Sequence, residues 1–210
     1  PKAFWDLYED TAIPMPHTPF AQDELDPHSQ RLLKVYDLWD KPLPVDKIRD
    51  ARRAYFGACS YIDSNVGKLL QTLEDTGLAE DTIIVFSGDH GDMLGERGLW
   101  YKMHWFEMAA RVPLLISAPG QFAAGRVSQA VSTADLLPTL VELAGGQVEH
   151  MLAGGQRGGF EECRLQAGAQ PGAVGVAGGD AVEAAAFEGL EAALVEAGRG
   201  RVACHLGSSP

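Results

Sequence analysis

The sequence predicts an α/β fold in which a largely parallel or mixed sheet is flanked by helices. Three segments predict it: a long amphipathic helix over residues 45–73, a short β-branched strand over residues 83–86, and an apolar strand over residues 112–118. A helix that leads through a turn into a buried strand is half of a βαβ-type unit. The order of these segments therefore favours a parallel arrangement.

The long helix is predicted from apolar side chains that recur at three- and four-residue intervals. We expect this stripe to face the core and Gly77 to stop the helix shortly beyond its end. Cys59 is then a core residue. The stripe comprises Ile48, Ala51, Tyr55, Cys59, Ile62, Val66, Leu69, Leu70 and Leu73.

Three arginines on this helix allow two interpretations. Arg49, Arg52 and Arg53 form either an anion-binding cluster or a solvated helix face. Asp46 and Asp50 lie three or four residues away, and such charge pairs are common on helix surfaces. The spacing favours the solvated face.

The remaining segments give weaker signals. Residues 1–44 are interrupted by prolines and are expected to form an extended connection, anchored by Trp5, Tyr8 and Phe20. A short helix is expected around residues 30–38. A capped helix is predicted from Ser132 to Leu143, ending at Gly145 and Gly146.

Composition excludes some partners. The 210 residues carry a net charge of -12, which argues against nucleic acid or an anionic membrane as the main partner. The three cysteines, Cys59, Cys163 and Cys204, are widely spaced, so a reducing cytoplasm fits better than a disulfide framework. There is no apolar run of membrane-spanning length.

The turn after the first strand is the clearest candidate site. Gly88 ends the strand, which we expect to be buried on both faces, and Asp89 and His90 follow at its carboxyl end. A carboxylate beside an imidazole is a plausible half of a divalent-metal site. The alternative is a surface turn in which Asp89 and Asp92 cap backbone amides.

A polar, aromatic-rich segment separates the two strands. Lys102 is expected to be partly desolvated among aromatic rings and to neutralise an oxyanion; alternatively, it extends from an apolar patch and pairs with Glu107. His104 is either a general acid or a loop histidine. For Arg111, a structural salt bridge is favoured over substrate contact.

These segments resemble one known family. The sequence contains TIIVFSGDHGDMLGERGLWYKMHWFEMAARVPLLISAPG, preceded by YFGACSYIDSNVGKLLQTLEDTGL and followed by VSTADLLPTLVELAGG. These segments, together with DPHSQRL upstream, resemble the later catalytic-domain portion of the sulfatases, which belong to the alkaline phosphatase superfamily. Among the sulfatases, they resemble the choline sulfatases most. The resemblance covers residues 1–149, whereas residues 150–210 form a Gly/Ala-rich tail with no recognisable pattern, possible disorder, and a possible helix over residues 181–197.

The resemblance implies roles for individual residues. Asp89 and His90 match two metal ligands, and Lys102 matches the lysine that contacts the sulfate and the bridging oxygen. His104 would contact the leaving group at most. The implied metal is Ca²⁺, with Mn²⁺ or Zn²⁺ as alternatives, and the implied partner is a small-molecule sulfate ester in a homo-oligomeric, cytoplasmic parent enzyme.

One part of the implied machinery has no match in this sequence. The family nucleophile is a formylglycine made within a Cys/Ser-x-Pro-x-Arg motif, and none of the three cysteines is followed by the required proline and arginine. The sequence therefore predicts a choline-sulfate hydrolase whose nucleophile lies in another segment. The alternatives are a phosphonate or phosphate ester hydrolase, and an inactive fragment or assembly partner.

Overall fold

The computed structural model describes residues 1–9, 12–122, 125–147 and 201–206. The chain divides into two compact units. Of the described residues, those within 1–72 and 92–104 form one unit, here called the helical unit. Those within 73–91, 105–147 and 201–206 form the other, here called the sheet unit.

The helical unit contains three helices and a short hairpin. The helices are α1 (Lys2–Asp6), α2 (Pro27–Val35) and α3 (Val45–Asp75), whose last three residues belong to the sheet unit. Strands β2 (Met93–Leu94) and β3 (Trp100–Tyr101) pair antiparallel. Helix α1 lies in a segment that we predicted to be irregular, so that prediction was wrong for these five residues.

Helix α2 begins three residues earlier than the sequence indicated, because Asp26 caps it. The Asp26 carboxylate accepts hydrogen bonds from the backbone N–H groups of His28 and Ser29, both 3.0 Å. Pro27 occupies the first turn, where a missing N–H costs nothing. The cap and the proline together fix the start of the helix.

Helix α3 is confirmed, but its buried face differs from the predicted one. Phe56 and Gly57 are buried, whereas Ile62 and Leu69 from the predicted stripe are 50% and 66% exposed. A Cβ at Gly57 would lie 3.0 Å from the carbonyl oxygen of Phe4, so this glycine permits the close approach of α1. Cys59 is only partly buried.

Arg49 is solvent-exposed as we expected, but Arg52 and Arg53 are not part of a solvated face. Arg52 is 2% exposed and donates from Nη1 to the carbonyl oxygen of Leu94 at 3.0 Å. Arg53 donates from Nε to the carbonyl oxygen of Trp5 at 3.0 Å, and its guanidinium lies 4.4 Å from the Trp5 ring centroid. These arginines hold other segments against the helix.

Trp5 and Tyr8, two of the three predicted aromatic anchors, attach the N-terminal segment to α3. Tyr8 packs edge-to-face on Phe56 with ring centroids 5.4 Å apart, and its hydroxyl lies 2.7 Å from Ser60 Oγ. Phe20 packs edge-to-face on Trp39 at 6.5 Å. The N-terminal segment therefore packs on α3 despite its prolines.

The sheet unit is built on a four-stranded mixed sheet. Its strands are β1 (Ile84–Ser87), β4 (Val112–Ser117), β5 (Gly125–Val131) and β6 (Arg201–Leu206), in the order β1-β4-β6-β5. Strands β1 and β6 both pair antiparallel with β4, while β5 pairs parallel with β6. The sheet is therefore mixed, which is one of the two sheet types that the sequence predicted.

Strand β1 lies at the edge of this sheet and is partly exposed along its whole length. The prediction that it is buried on both faces was wrong, because among the described residues its backbone pairs with β4 alone. Strand β4 is the buried one, as its apolar run indicated. The core consists of Val112, Leu114, Ile116, Val127 and Val131.

Two short helices complete the sheet unit: α4 (Glu107–Ala110) and α5 (Leu136–Leu143). The predicted capping box at Ser132 is present, but it caps the 3-10 turn Thr133–Asp135 that leads into α5, and α5 itself has no side-chain cap: Ser132 Oγ accepts from Ala134 N at 3.2 Å, and Asp135 Oδ2 accepts from Ser132 N at 2.8 Å. The helix predicted over residues 181–197 lies outside the described residues. Within the described part of the chain, no helix is both long and apolar enough to cross a membrane.

Candidate functional site

Asp89 and His90 lie where the sequence placed them, directly beyond the carboxyl end of β1. The Asp89 side chain is 86% exposed and that of His90 is 29% exposed. Asp89 Oδ1 also accepts a hydrogen bond from His90 N at 3.1 Å, which is the local bond that the surface-turn alternative expected. The turn bond occupies only one carboxylate oxygen, so the other can serve a ligand.

The His90 ring is oriented by its own backbone. Its Nδ1 lies 2.9 Å from the carbonyl oxygen of Gly91. Because a carbonyl can only accept, Nδ1 carries the proton, and in the neutral ring the lone pair is on Nε2. Nε2 lies 3.3 Å from Asp89 Oδ2, so an imidazole nitrogen and a carboxylate oxygen converge at this turn.

Glycines on both sides of the pair allow the turn to pack closely. Gly91 donates to the carbonyl oxygen of Ala109 at 3.0 Å. A Cβ at Gly91 would overlap the carbonyl oxygen of Met108 and lie 2.9 Å from that of Arg111. The backbone of Gly91 is therefore held against α4, which fixes the position of His90.

Arg111 has the structural role that the sequence favoured. Its Nη2 lies 3.1 Å from Glu107 Oε2, one helical turn away. Both side chains retain solvent exposure, 35% for Arg111 and 56% for Glu107. The pair closes the short helix α4 and is a modest surface interaction.

Lys102 is exposed, in contrast to the partly desolvated lysine that we predicted. The flanking Tyr101 and Met103 are also exposed, at 63% and 65%. Tyr101 has a φ of 71°, which is uncommon outside glycine, so the chain turns sharply where β3 ends. Tyr36 donates its hydroxyl to the carbonyl oxygen of Met103 at 3.1 Å, which restrains the segment that carries Lys102.

His104 is buried, with 8% of its surface exposed. Burial is the main cause that lowers the pKa of His104 below 6.5, and the nearby His28 lowers it further. The ring is therefore neutral at pH 7, which favours the loop-histidine interpretation over the general acid. The His104 backbone N–H donates to the carbonyl oxygen of Lys102 at 2.8 Å.

Glu96 and Arg97 stabilise the fold, and the sequence analysis did not identify either of them. Glu96 is 8% exposed; its two carboxylate oxygens accept from His17 N at 2.9 Å and Thr18 N at 2.8 Å, and Arg52 Nη1 lies 4.0 Å away. Arg97 Nη1 lies 3.2 Å from Asp26 Oδ2, the cap of α2. No local signal reveals these bonds, because the partners lie more than forty residues away in sequence.

The predicted site residues thus form two pairs. Asp89 and His90 meet in the sheet unit, and Lys102 and His104 share a backbone hydrogen bond in the helical unit. Among the described residues there is no group of three or more His, Cys, Asp or Glu side chains that could hold a metal ion. The described residues therefore offer two donors, Asp89 and His90, at the candidate metal site.

The helical unit also contains an apolar cavity of about 330 Å³. Phe20, Ile48 and Trp100 contribute to its lining, and Lys41 is the one charged residue there. None of the four predicted site residues lines it. The cavity is therefore separate from the predicted chemistry.

Comparison with known proteins gives a consistent assignment. The family model described as Sulfatase matches residues 13–146. The choline-sulfatase of Rhizobium meliloti (strain 1021) is 47% identical over 151 residues, which cover 71% of this chain and 29% of that protein. The human iduronate 2-sulfatase is 40% identical over 132 residues, covering 51% of this chain and 24% of that protein.

Two solved structures are similar in fold to this chain. A phosphonate monoester hydrolase from Silicibacter pomeroyi superposes with a TM-score of 0.59 at 28% identity, over 70% of this chain and 31% of that chain. BT4656, solved with D-glucosamine-2-N,6-O-disulfate, gives a TM-score of 0.53 at 24% identity over 70% of this chain and 42% of that chain, and supports the fold alone. The chain spans less than a third of the curated relatives named here.

Proposed function

This chain belongs to the sulfatase family, and on that basis we propose that it contributes to a metal-dependent hydrolase of sulfuric esters. The substrate class is a small-molecule sulfate ester, and choline sulfate is the proposed member. The observation that carries the proposal is the convergence of Asp89 and His90 beyond β1. It supports the proposal because the family resemblance implies that these two residues are metal ligands.

The geometry of the pair fits a cation. Two neighbouring ligands about 2.0–2.4 Å from one ion lie roughly 3 Å apart, and Asp89 Oδ2 and His90 Nε2 are separated by 3.3 Å. The proton on Nδ1 directs the Nε2 lone pair towards that position. The exposure of Asp89 leaves room for further ligands. These residues would therefore hold two sites of a coordination shell.

Each residue has a separate part in the proposed reaction. A divalent cation, when bound, would polarise the sulfuryl group. Asp89 and His90 would hold that cation, and the Lys102 ammonium would offer positive charge to a sulfate oxygen and the bridging oxygen. The formylglycine nucleophile would come from a segment that this sequence does not match, and His104 would contact the leaving group at most.

The choice of substrate and metal has separate support. The 47% identity to choline-sulfatase favours choline sulfate, and a zwitterion is compatible with a chain of net charge -12. Ca²⁺ is the proposed metal because oxygen ligands suit it, while the imidazole of His90 keeps Mn²⁺ and Zn²⁺ as alternatives. We also propose a homo-oligomeric, cytoplasmic parent enzyme.

A second candidate function is phosphonate or phosphate ester hydrolysis. It is favoured by the structural similarity to the Silicibacter pomeroyi phosphonate monoester hydrolase. A third candidate is a non-catalytic fragment or assembly partner, favoured by the short share of each relative that the chain covers. Substrate competition separates the first two, and reconstitution separates both from the third.

Metal binding tests the site without requiring turnover. Isothermal titration of the chain with Ca²⁺, Mn²⁺ and Zn²⁺ is expected to show weak binding, with a Kd of about 0.1–1 mM for a partial ligand set. Asp89→Asn and His90→Gln should abolish it, whereas Asp50→Asn on exposed α3 should not. Binding that survives in both site variants, or tight binding by the isolated chain, contradicts the proposal.

Activity requires a complete domain. We would exchange the matched region of Rhizobium meliloti choline-sulfatase for residues 13–146 and assay choline sulfate against a phosphonate monoester. Preferential sulfate ester hydrolysis, reduced at least about a hundredfold by Lys102→Ala, is the expected result. Preference for the phosphonate ester would favour the second candidate, and a folded but inactive chimaera the third.

A further inference from the structure

The loop that carries Lys102 leaves strand β3 in a strained conformation. Tyr101, the last residue of β3, has a φ of 71°, which is unfavourable for a residue with a side chain. Lys102 itself is exposed, and a lysine has a long side chain with many rotamers. A strained backbone keeps one conformation only where other contacts hold it. The position of the lysine therefore depends on what anchors this loop.

The two residues after Lys102 supply anchors. The carbonyl oxygen of Met103 accepts a hydrogen bond of 3.1 Å from the hydroxyl of Tyr36, 67 residues away in sequence. His104 is buried, and its backbone N–H donates to the carbonyl oxygen of Lys102 at 2.8 Å. The second bond closes the loop on itself, whereas the first ties it to another segment. Tyr36 is therefore a long-range restraint on the backbone next to the lysine.

The backbone of Tyr36 is held in place because this residue ends helix α2. The helix closes with a Schellman motif, in which two hydrogen bonds satisfy its last carbonyl groups. The backbone N–H of Leu38 donates to the carbonyl oxygen of Leu33 at 2.8 Å. That of Asp37 donates to the carbonyl oxygen of Lys34 at 3.2 Å, and Asp37 has the left-handed φ, 57°, that the motif requires. Leu33 is only 1% exposed, so the end of the helix also packs within the helical unit.

Helix α2 contacts the hairpin segment at both of its ends. At the first turn, the carboxylate of Asp26 caps the helix and lies 3.2 Å from Arg97 Nη1, in the loop between β2 and β3. At the last turn, Tyr36 holds Met103, just beyond β3. A helix of nine residues spans roughly 13 Å, so the two contacts are well separated. Helix α2 is therefore a platform that fixes where the Lys102 loop lies.

We propose that Tyr36 is a positioning residue for Lys102. By holding the carbonyl group of Met103, it keeps the preceding residue in the one backbone conformation from which the ammonium reaches the ester. Its hydroxyl donates to a backbone oxygen, so it acts through the loop and not on the substrate. The proposal rests on the proposed function in taking Lys102 to contact the sulfate ester. The competing interpretation is a hydrogen bond that only stabilises the fold.

Limited trypsin cleavage tests the restraint without requiring turnover. Trypsin cuts after a lysine where the chain opens locally, so the initial cleavage rate after Lys102 measures how often this loop is released. We expect Tyr36→Phe to raise that rate about five- to tenfold, which corresponds to the loss of one hydrogen bond. Cleavage after Lys68, exposed on α3, should change less than about twofold in the same variant. Tyr8→Phe removes a hydroxyl 2.7 Å from Ser60 Oγ and should leave both rates unchanged.

A double-mutant cycle separates positioning from stabilisation. In the chimaera that carries residues 13–146, Tyr36→Phe should lower kcat/KM for choline sulfate about five- to tenfold. The same substitution added to Lys102→Ala should lower it less than about twofold, because no ammonium remains to be positioned. A purely structural role predicts equal losses in the two backgrounds. Thermal unfolding of each variant verifies that the chimaera is folded at the assay temperature.

Faster cleavage after Lys102 together with coupled losses of kcat/KM is the expected result. Unchanged cleavage in Tyr36→Phe, or equal losses with and without Lys102, overturns the proposal. Failure of the proposed function has a different signature. If Lys102→Ala leaves hydrolysis unchanged, the role of the lysine is rejected and its positioning with it, while the cleavage rates still report whether Tyr36 holds the loop. If Lys102→Ala impairs hydrolysis and Tyr36→Phe does not, the positioning role alone is rejected.

Discussion

Two glycine-flanked, charged segments that lie close together in the sequence differ in burial: Gly-Asp-His-Gly at residues 88–91 and Gly-Glu-Arg-Gly at residues 95–98. The turn 88–91 leaves Asp89 86% exposed, with one hydrogen bond to the next residue. The loop 95–98 buries Glu96 and gives both its oxygens to backbone groups 78 and 79 residues away. Both segments are glycine-flanked and charged, so charge and glycine content do not distinguish them.

This difference distinguishes a carboxylate with a structural role from one that can bind a ligand. A buried carboxylate whose oxygens both accept hydrogen bonds from backbone N–H groups stabilises the fold and has no capacity for a ligand. A carboxylate that is exposed and adjoins an oriented imidazole can accept a cation. Glu96 belongs to the first kind and Asp89 to the second.

The largest effect is expected at Glu96. Glu96→Ala should lower the free energy of unfolding by about 3 kcal/mol, because it leaves the backbone N–H groups of His17 and Thr18 without their acceptor and removes the carboxylate that neutralises the buried Arg52. Urea unfolding followed by tryptophan fluorescence measures it. Glu107→Ala removes an exposed pair with Arg111 and should cost less than about 1 kcal/mol. Equal losses of unfolding free energy in the two variants would contradict the structural role of the buried Glu96.

A smaller effect is expected where the turn meets α4. Gly91→Ala should destabilise the protein by about 2 kcal/mol, because its Cβ would overlap the carbonyl oxygen of Met108. In α3, Gly67 has open space, so Gly67→Ala should stabilise by about 0.5–1 kcal/mol. Thermal unfolding of both variants should give shifts of opposite sign; a stable Gly91 variant would refute the close approach.

Burial of His104 should make stability depend on pH. Its pKa is lowered by burial and by His28, so the unfolded chain binds more protons. The contribution of the buried, neutral His104 to the free energy of unfolding is fully present above pH 6.5 and is lost as the pH falls through the lowered pKa of the folded state. We expect His104→Gln to flatten the decline of unfolding free energy below pH 6.5 relative to the unsubstituted chain. An unchanged slope would show that His104 does not titrate on unfolding.

The smallest effect on stability is expected at Asp89. Asp89→Asn keeps the shape of the turn and its exposed side chain, so the free energy of unfolding should change by less than about 0.5 kcal/mol. The same variant is expected to lose divalent-metal binding. A loss of stability comparable with that of Glu96→Ala would assign Asp89 a structural role instead.

Several features were predictable because they depend on local sequence. The periodicity of α3, the apolar run of β4 and the capping box at Ser132 each act within a few residues. The place of Asp89 and His90 after a strand follows from Gly88 and the preceding β-branched run. Family resemblance added the expected chemistry of those residues and of Lys102.

Other features depend on partners distant in sequence. A helical period reveals that α3 has an apolar stripe but not whether that stripe meets a neighbour, and here Phe56 and Arg52 occupy the packed side instead. Likewise, the composition of β1 suits a central strand, yet its pairing puts it at the edge. Whether a residue is buried therefore depends on which distant segments pack against it.

The sequence by itself determined helices α2, α3 and α5, strands β1 and β4, the position of the candidate metal ligands and the family. Only the tertiary structure decided that Glu96 and Arg52 are buried, that Lys102 is exposed, and that Ile62 and Leu69 face solvent. The physical reason is that hydrogen-bond patterns and periodicities act over a few residues. Desolvation, in contrast, is set by whichever distant segments pack on a side chain.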